Sequence, residues 1–125
     1  MAKVLLVEDD ESLRLLYSKN LRAKNFEVET AIDGKDAFAK LKLFKPDLII
    51  LDIILPGIHG IEILQILKGD PELERIPVIM LTSLSEANRI KECLDSGAKG
   101  YIIKDKRVSA EEIAEKVNLL LNLPD

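Results

Sequence analysis

The chain alternates between short apolar runs and longer stretches in which apolar residues recur every three or four positions. The short runs are Lys3–Val7, Phe26–Thr30, Leu48–Leu51, Val78–Leu81 and Tyr101–Ile103, and all but the second are nearly continuously apolar. A strand wet on one face alternates polar and apolar side chains, so unbroken runs predict strands buried on both faces. The intervening stretches predict helices. The first, Glu11 to Lys24, sets Leu13, Leu16, Tyr17 and Leu21 on one stripe. The second, Lys35 to Leu43, does so with Ala37, Phe38 and Leu41, and a third covers Gly60 to Lys68. Two further helices are predicted to start at Ser83 and Ser109, each followed three positions on by a glutamate (Glu86, Glu112) as in a capping box, and Gly97 is predicted to end the fourth.

Strict alternation of strand and helix predicts a parallel sheet, because parallel strands need crossovers and helices supply them on both faces. No repeat or low-complexity tract interrupts the pattern, so residues 1–125 are expected to form one α/β, doubly wound domain. Ligands of such sheets bind beyond the carboxyl ends of the strands. There the sequence places Glu8-Asp9-Asp10, Asp52, Thr82-Ser83 and Lys104.

Composition narrows the function. Eighteen basic against 22 acidic residues give a net charge of -4, with no basic run, which argues against direct nucleic-acid binding. Cys93 has no second cysteine to pair with, no signal-peptide pattern opens the chain, and the longest apolar run is far below the roughly 20 residues of a membrane span. A cytoplasmic protein with no membrane segment is expected.

Asp10 reads as the cap of the first helix. Glu8, Asp9 and Asp52 are less easily explained as caps. Two like charges about 5 Å apart at an effective dielectric near 20 repel by roughly 3 kcal/mol, so a cation must compensate. Lys104 is one candidate. Mg2+ is the other, since it takes one or two carboxylates and completes its octahedron with water and phosphate oxygens. His59 and Cys93 have no ligand-spaced partners and are assigned no chemistry.

Four segments together carry a resemblance: Val7-Glu8-Asp9-Asp10, Leu51-Asp52-Ile53-Ile54-Leu55-Pro56-Gly57, Leu81-Thr82-Ser83 and Gly100-Tyr101-Ile102-Ile103-Lys104. In this order and spacing they resemble the receiver domain of bacterial two-component response regulators, of the single-domain chemotaxis-regulator type. The resemblance implies a flavodoxin-like sheet of order 2-1-3-4-5 with five helices on its two faces. It implies Asp52 as phosphoryl acceptor, with Glu8, Asp9, Asp52 and the Ile54 backbone carbonyl as Mg2+ ligands. Thr82 and Lys104 would contact the phosphoryl group, and Thr82 with Tyr101 would form the switch. The implied partners are a sensor histidine kinase or phosphotransfer protein, and a downstream protein met by the fourth helix, fifth strand and fifth helix. The chain would be a monomer or a weak phosphorylation-dependent dimer, and not a turnover enzyme.

Two features depart from or specialise that pattern. Receivers usually follow the lysine with proline in a cis peptide, but Asp105 stands here. A cis bond before a non-proline costs about 2.5–4 kcal/mol, which favours a trans link. Ile54 and Leu84, two residues beyond the acceptor and the threonine, are both apolar and are expected to shield the acyl phosphate from water. A flavodoxin-type cofactor site would need a hydroxyl- and glycine-rich loop where this chain has acids. An aspartyl phosphatase would need a second acid where Ile54 stands. The alternative carried forward is a receiver-like scaffold that signals by binding without phosphorylation.

Overall fold

The computed structural model describes residues 1–104 and 109–122. Five strands, β1 Lys3–Val7, β2 Glu27–Ala31, β3 Leu48–Asp52, β4 Val78–Thr82 and β5 Gly100–Ile103, pair in parallel in the order β2-β1-β3-β4-β5. The helices are α1 Glu11–Ala23, α2 Gly34–Phe44, α3 Gly60–Lys68, α4 Ile90–Asp95 and α5 Ala110–Leu121. This is the doubly wound architecture expected from the alternation.

Each strand feeds two cores, because successive side chains leave a strand on opposite faces. Leu5 and Val7 join Ile49 and Leu51 against α2, α3 and α4 through Leu41, Leu64 and Cys93. Val4 and Leu6 join Leu48 and Ile50 against α1 and α5 through Leu21 and Val117. That two-sided burial is why β1, β3 and β4 read as continuous apolar runs. No helix among the described residues is long and apolar enough to cross a membrane.

Helix starts follow the local chemistry in three cases and depart from it in one. Asp10 Oδ1 accepts from the Leu13 amide at 3.0 Å, Asp33 Oδ1 from Asp36 at 2.8 Å and Ser109 Oγ from Glu112 at 3.1 Å. Each satisfies an orphan donor of the first turn. Ser83 does not cap. Its hydroxyl pairs with Ser85 Oγ at 2.8 Å, Glu86 turns toward Arg89, and residues Leu84–Arg89 form a 3-10 segment before α4. The capping-box spacing there misplaced the start of the fourth helix. Gly97 does close it, at φ +108°, a conformation in which a side chain would be strained. On α1, Tyr17 and Leu21 are buried as expected, but Leu16 is 49% exposed and Ser18 is buried in its stead.

Candidate functional site

Strand register brings the polar residues together. Val7 pairs with Leu51, Asp52 with Leu81, and Thr82 with Ile103. One residue past these rungs stand Glu8 and Lys104, so four separate strand ends deliver their polar groups to one edge of the sheet. Asp52 and Thr82 are the last residues of β3 and β4, not the first residues beyond them.

Carboxylate oxygens of Glu8, Asp9 and Asp52 all lie within 4.8 Å of one another. Glu8 and Thr82 are fully buried, Asp52 nearly so, and Asp9 is exposed. Lys104 Nζ lies 2.7 Å from Glu8 Oε1 and also hydrogen-bonds Asp52 Oδ2, so a single ammonium bridges the two buried acids. Asp52 Oδ1 accepts from the Ile54 amide at 3.1 Å, which fixes the carboxylate plane. Thr82 Oγ1 donates to the Ser83 carbonyl at 3.1 Å.

The electrostatics follow from burial and crowding. Burial first, and then the neighbouring Asp52, raise Glu8 from 4.5 to about 7, although Lys104 pulls the other way. Asp9, although exposed, is moved upward by the slight desolvation of its carboxyl and by the neighbouring Glu8. For Lys104, burial lowers the pKa, but Asp52 and Glu8 outweigh it and the net direction is upward. Glu8 Oε1 is close to the ammonium yet off the line of a good hydrogen bond, and among the described residues it is the buried side-chain oxygen without an aligned donor. Three carboxylate donors with one oxygen left short of partners fit a hard divalent cation.

A cleft of about 300 Å³ opens over this cluster, lined by Asp9, Asp10, Asp52, Ile54, Ser83 and Lys104 among others. Ile54 is 43% exposed, so it covers the rim only in part. The side chain of Leu84 lies outside the described residues, as does the Lys104–Asp105 link. Tyr101 sits away from the cluster, 38% exposed, with Lys116 Nζ 5.3 Å from its ring centroid. Sequence reasoning missed two contributors. Arg14 braces the acid turn from α1, and Gly60 lets the start of α3 close against the end of β3.

The sheet order and the acid–lysine constellation define the receiver class of open α/β domains. The chain belongs to the response regulator receiver domain family, whose family model matches residues 4–118. It is 40% identical over 121 residues to the phosphate regulon transcriptional regulatory protein PhoB of Rhizobium meliloti, covering 97% of this chain and 52% of that protein. It is 39% identical over 104 residues to response regulator PleD of Caulobacter vibrioides, covering 82% of this chain and 23% of that one. The chain thus spans about half the length of PhoB or less of such curated relatives. Among solved structures, it is similar to chemotaxis response regulator CheY4 of Vibrio cholerae, with TM-score 0.86, 32% identity, and 96% and 98% of the two chains covered. The signal receiver domain of a histidine kinase from Syntrophus aciditrophicus is comparable, with TM-score 0.85, 33% identity, and 97% and 90% covered. Receiver domains of two-component systems serve phosphorelay signalling and generally bind Mg2+ at an acidic pocket, and this chain gathers Glu8, Asp9 and Asp52 into an acidic cluster.

Proposed function

We propose that residues 1–125 act as one receiver unit in which Asp52 accepts a phosphoryl group with the help of Mg2+. The observation that carries this reading is the bridging of two buried carboxylates by Lys104 beside an exposed third acid, at the mouth of an open cleft. Asp52 is the acceptor because it stands at the centre of the sheet edge, buried, oriented by the Ile54 amide and open to the cleft. Glu8, Asp9 and Asp52, with the Ile54 carbonyl, would hold Mg2+. When bound, the ion supplies positive charge to the incoming phosphoryl oxygens.

The remaining steps belong to the chain's own groups. An Asp52 oxygen forms the O–P bond as the N–P bond of a phosphorylated histidine breaks, and the donor imidazole keeps the released electron pair. Lys104 holds the phosphoryl charge as the dianion develops, exchanging one carboxylate partner for a phosphoryl oxygen. Thr82, buried at the end of β4, turns its hydroxyl from the Ser83 carbonyl to the phosphoryl group, and Tyr101 moves toward the space this vacates. The surface of α4, β5 and α5 changes with it, and a downstream protein reads the change. A sensor histidine kinase or phosphotransfer protein as donor, and a cytoplasmic location, go with this reading.

The test is incubation with a small acyl phosphate donor and Mg2+, followed by intact mass measurement. One phosphoryl adduct is expected on the parent and none on Asp52→Asn. An adduct retained by Asp52→Asn, or absent from the parent, would remove Asp52 from the role.

A further inference from the structure

The three acids come from two backbone segments of different character. Asp52 ends a central strand paired on both sides, and its position is fixed by the sheet. Glu8 and Asp9 lie in the short turn between β1 and α1, and Asp9 is exposed. The direction of Asp9 is therefore set by the turn backbone.

That turn is braced from outside itself. The Glu8 amide donates to the Ala31 carbonyl at 3.0 Å, tying its start to β2. The Asp10 amide donates to Glu8 Oε2 at 3.3 Å, folding the turn back on its own acid. Arg14, one helical turn further on, directs Nη1 to the Glu8 carbonyl at 3.1 Å and to the Asp9 carbonyl at 3.4 Å. The Arg14 amide meanwhile donates to the Asp10 carbonyl at 2.9 Å, so the residue grips the turn by backbone and side chain together. A guanidinium suits this task, because it offers several donors in one rigid plane while carrying a charge that nearby acids offset.

We infer that Arg14 is a positioning residue for the metal pocket: by holding the carbonyls of Glu8 and Asp9, it aims the two acids of the β1–α1 turn at the ion that Asp52 shares. This rests on the Mg2+ reading above. The alternative roles of Arg14 predict opposite or absent effects on metal binding. As a bare positive charge beside a cation site it opposes Mg2+, and its neutralisation would tighten binding. As a structural brace for α1 it would change stability and leave metal affinity alone. As a positioning residue it supports affinity, in the way that groups orienting metal ligands do, where loss commonly costs 10–100-fold.

The experiment is calorimetric titration of Mg2+ into the parent, Arg14→Gln and Arg14→Lys, with thermal unfolding of each in chelator. Both variants are expected to bind Mg2+ about tenfold or more weakly. Weakening in Arg14→Lys, which keeps the charge, separates positioning from charge and covers the case in which Arg14→Gln folds poorly. Affinity equal to or tighter than the parent's in the variants overturns the inference while leaving the Mg2+ reading intact. A parent that binds no Mg2+ overturns that reading, and the inference with it.

Discussion

Gly60 approaches Asp52 so closely that a β-carbon on it would lie 2.0 Å from the Asp52 carbonyl oxygen and 2.8 Å from the Ile53 Cα. The contact is backbone against backbone, so no rotamer change relieves it. The Gly60 amide donates to the Ile53 carbonyl at 2.8 Å, tacking the start of α3 onto the end of β3. Gly60→Ala must push the helix away from the strand that carries Asp52. A destabilisation of roughly 3 kcal/mol is expected, lowering the unfolding midpoint by about 10 °C, together with slower phosphoryl uptake. Thermal melts and the mass assay check this, and a variant as stable as the parent would show that the loop yields freely.

Lys104 pairs with two buried acids at once, its own side chain being only 17% exposed. Lys104→Met leaves Glu8 and Asp52 facing each other without their counter-ion. Removing one partner of a buried ion pair costs about 3–5 kcal/mol, chiefly from the stranded charge. The loss is expected to be large at pH 8 in chelator, smaller at pH 5 and partly repaired by Mg2+, because a proton or a divalent ion can substitute for the ammonium. Denaturant titrations under the three conditions check this. Equal losses in all three would mean that the lysine acts only through packing.

The raised pKa of Glu8 gives a pH dependence with a definite sign. In the metal-free protein, a carboxyl at about 7 when folded and 4.5 when unfolded binds more protons in the native state between those values. Its contribution to stability is full below about pH 4.5 and is lost as pH rises to about 7. Mg2+ competes with the same proton. Its affinity should therefore rise with pH, by at most about tenfold per unit, and level off above about pH 7. Glu8→Gln should flatten the metal-free stability profile over that window. Titrations at half-unit intervals provide the measurement, and a parent profile that does not fall, or Mg2+ affinity that grows on acidification, would contradict the assignment.

Architecture and site differed in how far the sequence disclosed them. The central strands announced themselves because burial on both faces forbids polar alternation, and the proposed acceptor stood out because Asp52 interrupts such a run. Register then did what spacing along the chain could not: Val7 beside Leu51 and Thr82 beside Ile103 turn four scattered motifs into one cluster. Ser83 followed by Glu86 looked like a helix start, but hydroxyl pairing with Ser85 and the pull of Arg89 on Glu86 won locally. Arg14 was hidden for a different reason. It acts on backbone carbonyls, which every sequence has and no motif marks. Gly60 was visible only as the first residue of a helix, and the close approach that requires it is a property of packing.

Tyr101 is held outward by a contact that the proposed switch must break. Its ring is 38% exposed and lies under the ammonium of Lys116 on α5, 5.3 Å from the centroid. An exposed cation–π contact contributes about 0.5–1 kcal/mol, which corresponds to about a two- to fivefold bias in a two-state equilibrium. If phosphorylation draws the ring inward against that bias, Lys116→Ala should raise the inward population of the unphosphorylated protein by about the same factor. The chain's other tyrosine, Tyr17, is 3% exposed, so two resonances are expected. Fluorotyrosine resonances can follow both rings, and the Tyr101 signal of unphosphorylated Lys116→Ala should move part of the way toward its position in the phosphorylated parent. A Tyr101 signal unmoved by Lys116→Ala would release the ring from this hold, and one unmoved by phosphorylation would take Tyr101 out of the switch.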